Sequence, residues 1–78
     1  MGKHKVREKN LKNLKAFGGH IRRLRINKKM TQEQLADLAG VSENTIVTIE
    51  KGLLNPTIAT LWEIAVALDV PRKDFFDF

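Results

Sequence analysis

The chain contains no cysteine, no tyrosine, a single serine (Ser42), two prolines and two histidines. Without cysteine there is neither a disulfide framework nor a thiolate metal site. The scarcity of hydroxyl and imidazole groups leaves no nucleophile–base pair at a workable spacing, because His4 and His20 lie in or near a basic block and Ser42 stands apart from both. Carboxylates and histidines are scattered along the sequence and not clustered as metal ligands would be. No strand-like alternation appears, so no glycine-rich phosphate loop follows a strand. These absences argue against an enzyme: no catalytic residue, cofactor or metal is expected. No apolar run approaches the ~18 residues of a membrane span, and the N-terminus lacks the apolar segment of a secretory signal. The simplest expectation is a cytoplasmic protein with no membrane partner.

What remains is short, basic at one end and rich in helical periodicity. The 78 residues allow one small domain, near the lower limit of what folds without covalent or metal staples. The net charge of +5 is unevenly placed. Residues 1–30 carry eleven lysines and arginines against Glu8 alone, whereas residues 31–78 carry Lys51, Arg72 and Lys73 against eight acids. A basic block joined to an acidic remainder suggests a polyanionic partner; a solvated tail that only aids solubility would give the same charge pattern.

Residues 1–10 hold little apolar material and are expected to form a basic, flexible tail. Its Lys3, Lys5, Arg7 and Lys9 suit a phosphate backbone, a minor-groove arm, or no defined contact. Leu11, Leu14, Phe17, Ile21 and Leu24 then recur at helical spacing and predict a first helix ending near Asn27. Gly18-Gly19 weakens that helix by on the order of 1 kcal/mol per glycine, which points to a close neighbour on that face. Thr31 with Gln34 has the spacing of a capping box, and Leu35, Ala36, Leu38 and Ala39 follow as one apolar stripe. Gly40 suits a left-handed helix end, Ser42 can cap a third helix, and Gly52 can end it. In that third helix Ile46 and Ile49 are expected to face inward, with Glu43, Asn44, Val47, Thr48 and Lys51 on the opposite face. Thr57 can cap a fourth helix whose inward stripe reads Ile58, Leu61, Ile64, Ala65 and Leu68, with Trp62 and Val66 as a second stripe. Pro71 is placed to begin a short fifth helix. Three phenylalanines among the last four residues are costly to expose together, so one or two should cover the core and the rest could join Trp62 and Val66 in a contact patch.

The segment Thr31–Gly52, TQEQLADLAGVSENTIVTIEKG, resembles the helix-turn-helix of the phage repressor/Cro-like (XRE-type) DNA-binding family. The likeness runs through Gln32, Ala36, Gly40, Ile46 and Ile49-Glu50-Lys51-Gly52, and continues in Asn55-Pro56-Thr57 and Leu61–Leu68. It covers roughly Phe17 to Phe76. The resemblance implies an all-α, compact five-helix lambda-repressor-like bundle over residues 11–78, with the helix-turn-helix at helices 2 and 3. It implies a transcriptional regulator, in repressor form, at the nucleoid of a prokaryote or phage host, and an ion pair between Arg25 and Glu50 that ties helix 1 to helix 3. The family's counterpart of Gln32 touches the DNA backbone, which agrees with the affinity of a helix N-terminus for phosphate. From base-edge chemistry, Asn44 suits adenine, Glu43 suits cytosine, Val47 suits a thymine methyl, and Thr48 suits a thymine methyl or a polar edge. Ser42, Thr45, Lys51 and Asn55 complete the expected DNA-contacting set. The family often has a basic residue in the loop after helix 3, where this chain has Leu53 and Leu54. One such domain covers only a few base pairs, so a homodimer on an inverted repeat is expected. Its interface is expected on Trp62, Val66, Phe75, Phe76 and Phe78, and no small-molecule effector site is evident. The rival readings are a protein–protein or antitoxin-like module on the same fold, and an RNA-binding use. The latter sits poorly with aromatics confined to core or terminal positions.

Overall fold

The computed structural model describes residues 2–78, with side chains from Val6 onward; the expectations for Lys3 and Lys5 lie outside the described side chains. Five helices follow in order: α1 (Gly2–Asn27), α2 (Gln32–Ala39), α3 (Glu43–Glu50), α4 (Ile58–Leu68) and α5 (Arg72–Phe75). None among the described residues is long and apolar enough to cross a membrane.

The helix boundaries follow from local chemistry. Thr31 Oγ1 accepts from the Gln34 N–H at 3.0 Å, and Gln34 Oε1 accepts from the Thr31 N–H at 2.9 Å, so both arms of the capping box close. Gly40, at φ 72°, turns the chain out of α2 and donates back to the Ala36 and Asp37 carbonyls. Ser42 Oγ then accepts from the Thr45 N–H at 3.1 Å, and Thr57 Oγ1 caps α4 in the same way through Thr60. Asp69 ends α4 in the left-handed region at φ 53°, a role glycine has after α2.

The core lies where the five helices converge. Phe17 and Ile21 of α1, Leu35, Ala36 and Ala39 of α2, and Ile46 and Ile49 of α3 meet Ile64, Ala65 and Leu68 of α4, with Phe75 of α5 closing one end. Each large apolar side chain buried there contributes about 1.5–3 kcal/mol relative to exposure. Phe75 stands edge-on to Phe17 with ring centroids 5.3 Å apart. Gly18 lets α1 lie directly on the end of α3: a Cβ at that position would be 2.3 Å from the Ile49 carbonyl oxygen and 2.7 Å from that of Glu50. Gly19, by contrast, meets nothing nearer than Arg23 Nη1 at 3.5 Å, so only the first glycine of the pair is required by packing.

Several expectations are corrected. Helix α1 begins at Gly2 and not near Leu11, because Lys, Arg and Glu are good helix formers and nothing between residues 3 and 10 stops the helix. Leu11, Leu38 and Ile58 satisfy helical spacing yet are 57%, 64% and 63% exposed, each standing at a stripe edge that no neighbouring helix covers. Phe75, expected in a dimer interface, is 1% exposed and belongs to the core. Leu53 and Leu54 project from the loop after α3 and are exposed.

Candidate nucleic-acid interface

The eight residues of α3 divide cleanly between two surroundings. Ile46 and Ile49 are fully buried, while Glu43 and Asn44 are exposed and Thr45, Val47 and Thr48 half-buried. That division follows from packing α3 against both α1 and α2, which leaves one long side free. Glu43 sits in the first turn, where a carboxylate also complements the helix dipole. The Asn44 side chain makes no hydrogen bond to the protein among the described residues, so its amide is available as a bidentate donor–acceptor. Thr48 Oγ1 donates to the carbonyls of Asn44 at 2.8 Å and Thr45 at 3.1 Å. Its proton is therefore used within the helix, and what it offers outward is a methyl group and an acceptor lone pair. Ser42 and Thr45 are joined through their hydroxyls at 2.8 Å, which makes both parts of the helix start.

Beneath this face lies a single carboxylate that ties three elements. Glu50 accepts from Arg25 Nε at 2.7 Å and Arg25 Nη2 at 2.9 Å, a bidentate fork, and from Gln32 Nε2 at 3.2 Å. Arg25 also donates from Nη1 to the Met30 carbonyl at 2.9 Å, so the turn between α1 and α2 is held as well. The hydrogen bonds that Arg25 donates to Glu50 raise the pKa of its guanidinium above the ordinary value, against the opposing effect of burial. Both side chains are nearly buried, and no buried side-chain polar atom among the described residues lacks a partner. The cluster is thus fully satisfied, the condition under which a buried ionic group fixes geometry without a large penalty.

Gln32 occupies the N-terminus of α2, as expected, but its side chain turns inward to Glu50, eighteen positions away in sequence. The Gln34 N–H is spent on Thr31 Oγ1, so the N–H groups of half-buried Gln32 and exposed Glu33 are the candidates for a phosphate at this helix start. Lys51 and Asn55 are exposed just beyond the end of α3. Lys15 is a residue that sequence reasoning missed at this edge. A Cβ on Gly52 would be 2.7 Å from its Cα, which places α1 directly beside the end of α3. The Gly18-Gly19 pair was the sequence signal of a close approach on α1, and Gly52 lies on the other side of that contact.

The expected interface residues separate into two groups. Trp62 (52% exposed) and Val66 (80%) share a hollow with Leu38, Ala39 and Glu63, and Arg72 lies over the Trp62 ring with its guanidinium carbon 5.6 Å from the centroid. Phe76 and Phe78 instead pack on Phe17, with ring centroids 6.0 and 5.4 Å away, and line a different groove with Leu14, Pro56 and Leu61.

A family model described as helix-turn-helix matches residues 21–75. The chain is 41% identical over 60 residues to an uncharacterized HTH-type transcriptional regulator of Sinorhizobium fredii, covering 77% of this chain and 78% of that protein. It is 36% identical over 55 residues to the cryptic phage CTXphi transcriptional repressor RstR of Vibrio cholerae, covering 70% of this chain and 50% of the repressor. Among solved structures, the restriction-modification controller protein C.AhdI from Aeromonas hydrophila matches with a TM-score of 0.78 at 32% identity, over 80% of this chain and 94% of the controller. The wild-type controller C.Esp1396I matches with a TM-score of 0.78 at 34% identity, over 83% of each chain. With the same all-helical architecture and the same motif in register, the chain belongs to the helix-turn-helix family of repressor/Cro-like (XRE-type) DNA-binding transcriptional regulators.

Proposed function

We propose that this regulator acts in the cytoplasm as a repressor, binding an inverted repeat in double-stranded DNA as a homodimer. In this reading α3 enters the major groove while the N-terminus of α2 and Lys51 and Asn55 hold the phosphate backbone on either side. Asn44 reads an adenine edge, and Thr48 and Val47 present methyl groups to thymine. Ser42 and Thr45 fix the start of α3, and the Glu50 cluster fixes its angle to α1 and α2. The single observation that carries the reading is the free outer face of α3, polar and accessible, above a hydrogen-bonded base that does not depend on it.

Dimerisation is supported by the surface of α4. Ile58, Trp62 and Val66 recur every four residues and form one apolar ridge, all three exposed, with exposed Leu38 beside it on α2. Such a ridge on so small a domain is the kind of surface that marks a protein contact. The inverted-repeat reading requires two copies joined there to present both reading helices to one side of the duplex, at half-sites about one helical turn apart.

The test is selection of bound duplexes from a random-sequence library at near-physiological salt. Recovery of an inverted repeat establishes sequence-specific binding and gives the half-site spacing. Recovery of no motif by a folded protein overturns the reading in favour of a protein-interaction module on the same fold.

A further inference from the structure

The family model begins at residue 21, yet α1 begins at Gly2 and runs for 26 residues. At 1.5 Å per residue that is roughly 39 Å, nearly the whole 42 Å long axis of the molecule. Its N-terminal part has no core to join. Val6 through Asn13 are all exposed, and Asn10 and Asn13 occupy the helical face that Leu14, Phe17 and Ile21 use for burial further along. This end is built to be solvated.

Its charge is ordered along the helix. Lys9, Lys12, Lys15 and Arg22 follow one another at steps of three, three and seven, which puts them in one row, and all four are exposed. None is held in an ion pair among the described residues, where Arg25–Glu50 is the one such pair. The row has a fixed position relative to the reading helix. Lys15 lies against Gly52, next to Lys51, and Asn10 and Asn13 share a groove with Asn55 and Pro56. The row therefore starts where the expected phosphate contacts of the α3 end leave off and leads away from them.

We propose that the N-terminal half of α1 is a second DNA contact: a preformed basic helix that follows the phosphate backbone beyond the half-site read by α3. The inference rests on the duplex-binding reading above and extends it. An irregular basic arm would be ordered only on binding, at a cost in conformational entropy, whereas a helix continuous with the core carries its charges already aligned. Because the contacts are to phosphate, they add affinity and footprint without adding sequence preference.

The experiment compares the whole protein with the double variant Lys9→Gln, Lys12→Gln, both in the row; glutamine matches lysine in helix propensity, so the helix is retained. Two probes are used: the duplex recovered by the selection and a mixed-sequence duplex. Affinity is measured against salt concentration on both, and hydroxyl-radical cleavage maps the protected backbone on the first. The expected result is a salt slope shallower by about 3.6 on both duplexes, since the homodimer loses four phosphate contacts and each removes about 0.9. Backbone protection beside each half-site should disappear, while the selected base motif is unchanged. An unaltered slope and footprint in a folded variant would overturn the proposal and leave α3 reading intact; in that case the row serves another partner, such as the acidic surface of a second copy. Failure of the unsubstituted protein to bind either duplex overturns both the function and this extension of it.

Discussion

Gly18 and Gly19 are adjacent in one helix, and the structure predicts that replacing them with alanine has opposite signs. In an isolated helix each change is favourable by about 1 kcal/mol. At Gly19 that gain is available in full, because the new methyl meets only the end of a flexible arginine at 3.5 Å. At Gly18 the methyl would sit 2.3 Å from the Ile49 carbonyl oxygen and 2.7 Å from that of Glu50. These atoms are backbone and cannot rotate away, so α1 and the end of α3 must separate. The Ile49 carbonyl also accepts the Gly52 N–H at 2.9 Å, so the turn that ends α3 is disturbed as well. Overpacking of this kind costs ~1–3 kcal/mol and more where backbone has to move. After subtracting the propensity gain, Gly18→Ala should lose about 2 kcal/mol while Gly19→Ala gains about 1. With a urea m-value of about 1 kcal/mol/M, the two unfolding midpoints should differ by roughly 3 M, read by far-UV circular dichroism. Equal midpoints, or a more stable Gly18→Ala protein, would refute the packing of α1 on α3 described above.

Other substitutions separate fold from recognition. Asn44→Ala should leave unfolding unchanged but relax preference at one base position, at ~1–3 kcal/mol; an unchanged selected motif would remove Asn44 from the base-reading set. Glu50→Ala leaves the buried Arg25 guanidinium without its carboxylate and should destabilise the fold by about 3 kcal/mol in urea titration. A Glu50→Ala protein of normal stability with altered base preference would reverse the assignment of Glu50 to structure. Val66→Asp places a charge on the most exposed residue of the α4 ridge and should give a folded monomer by sedimentation equilibrium, with weaker binding to the inverted repeat. Persistence of the dimer would move the interface off α4.

What the sequence made legible was whatever depends on neighbours a few residues away. The capping box at Thr31 and Gln34, the left-handed glycine at position 40 and the serine and threonine caps are chemistry within one turn of chain, and their spacing identifies them. The inward pair Ile46 and Ile49 was equally readable, because a short helix offers few ways to bury two isoleucines. Periodicity failed at stripe edges. Leu11, Leu38 and Ile58 are apolar at helical spacing, and only the arrival or absence of another helix decides whether such a residue is covered. The same holds for Phe75, the last residue of α5, against Phe76 and Phe78 just beyond the helix end. The inward turn of Gln32 toward Glu50 had no local signal, since its partner comes from a different helix. Of the candidate site, the identity of the outer face of α3 was in the sequence; the carboxylate node beneath it was legible as a pair and not as a three-way junction.

That three-way junction separates two kinds of evolutionary freedom. Arg25, Gln32 and Glu50 set the angle at which α3 is held, and none of them lies among Glu43, Asn44, Val47 and Thr48, whose side chains carry the expected base contacts. A new set of outward residues can therefore be grafted onto the same eight-residue helix without renegotiating its mounting. Operator preference in such a chain can drift one side chain at a time while the scaffold stays constant, and exchange of the outer face alone is enough to redirect the protein to a different site.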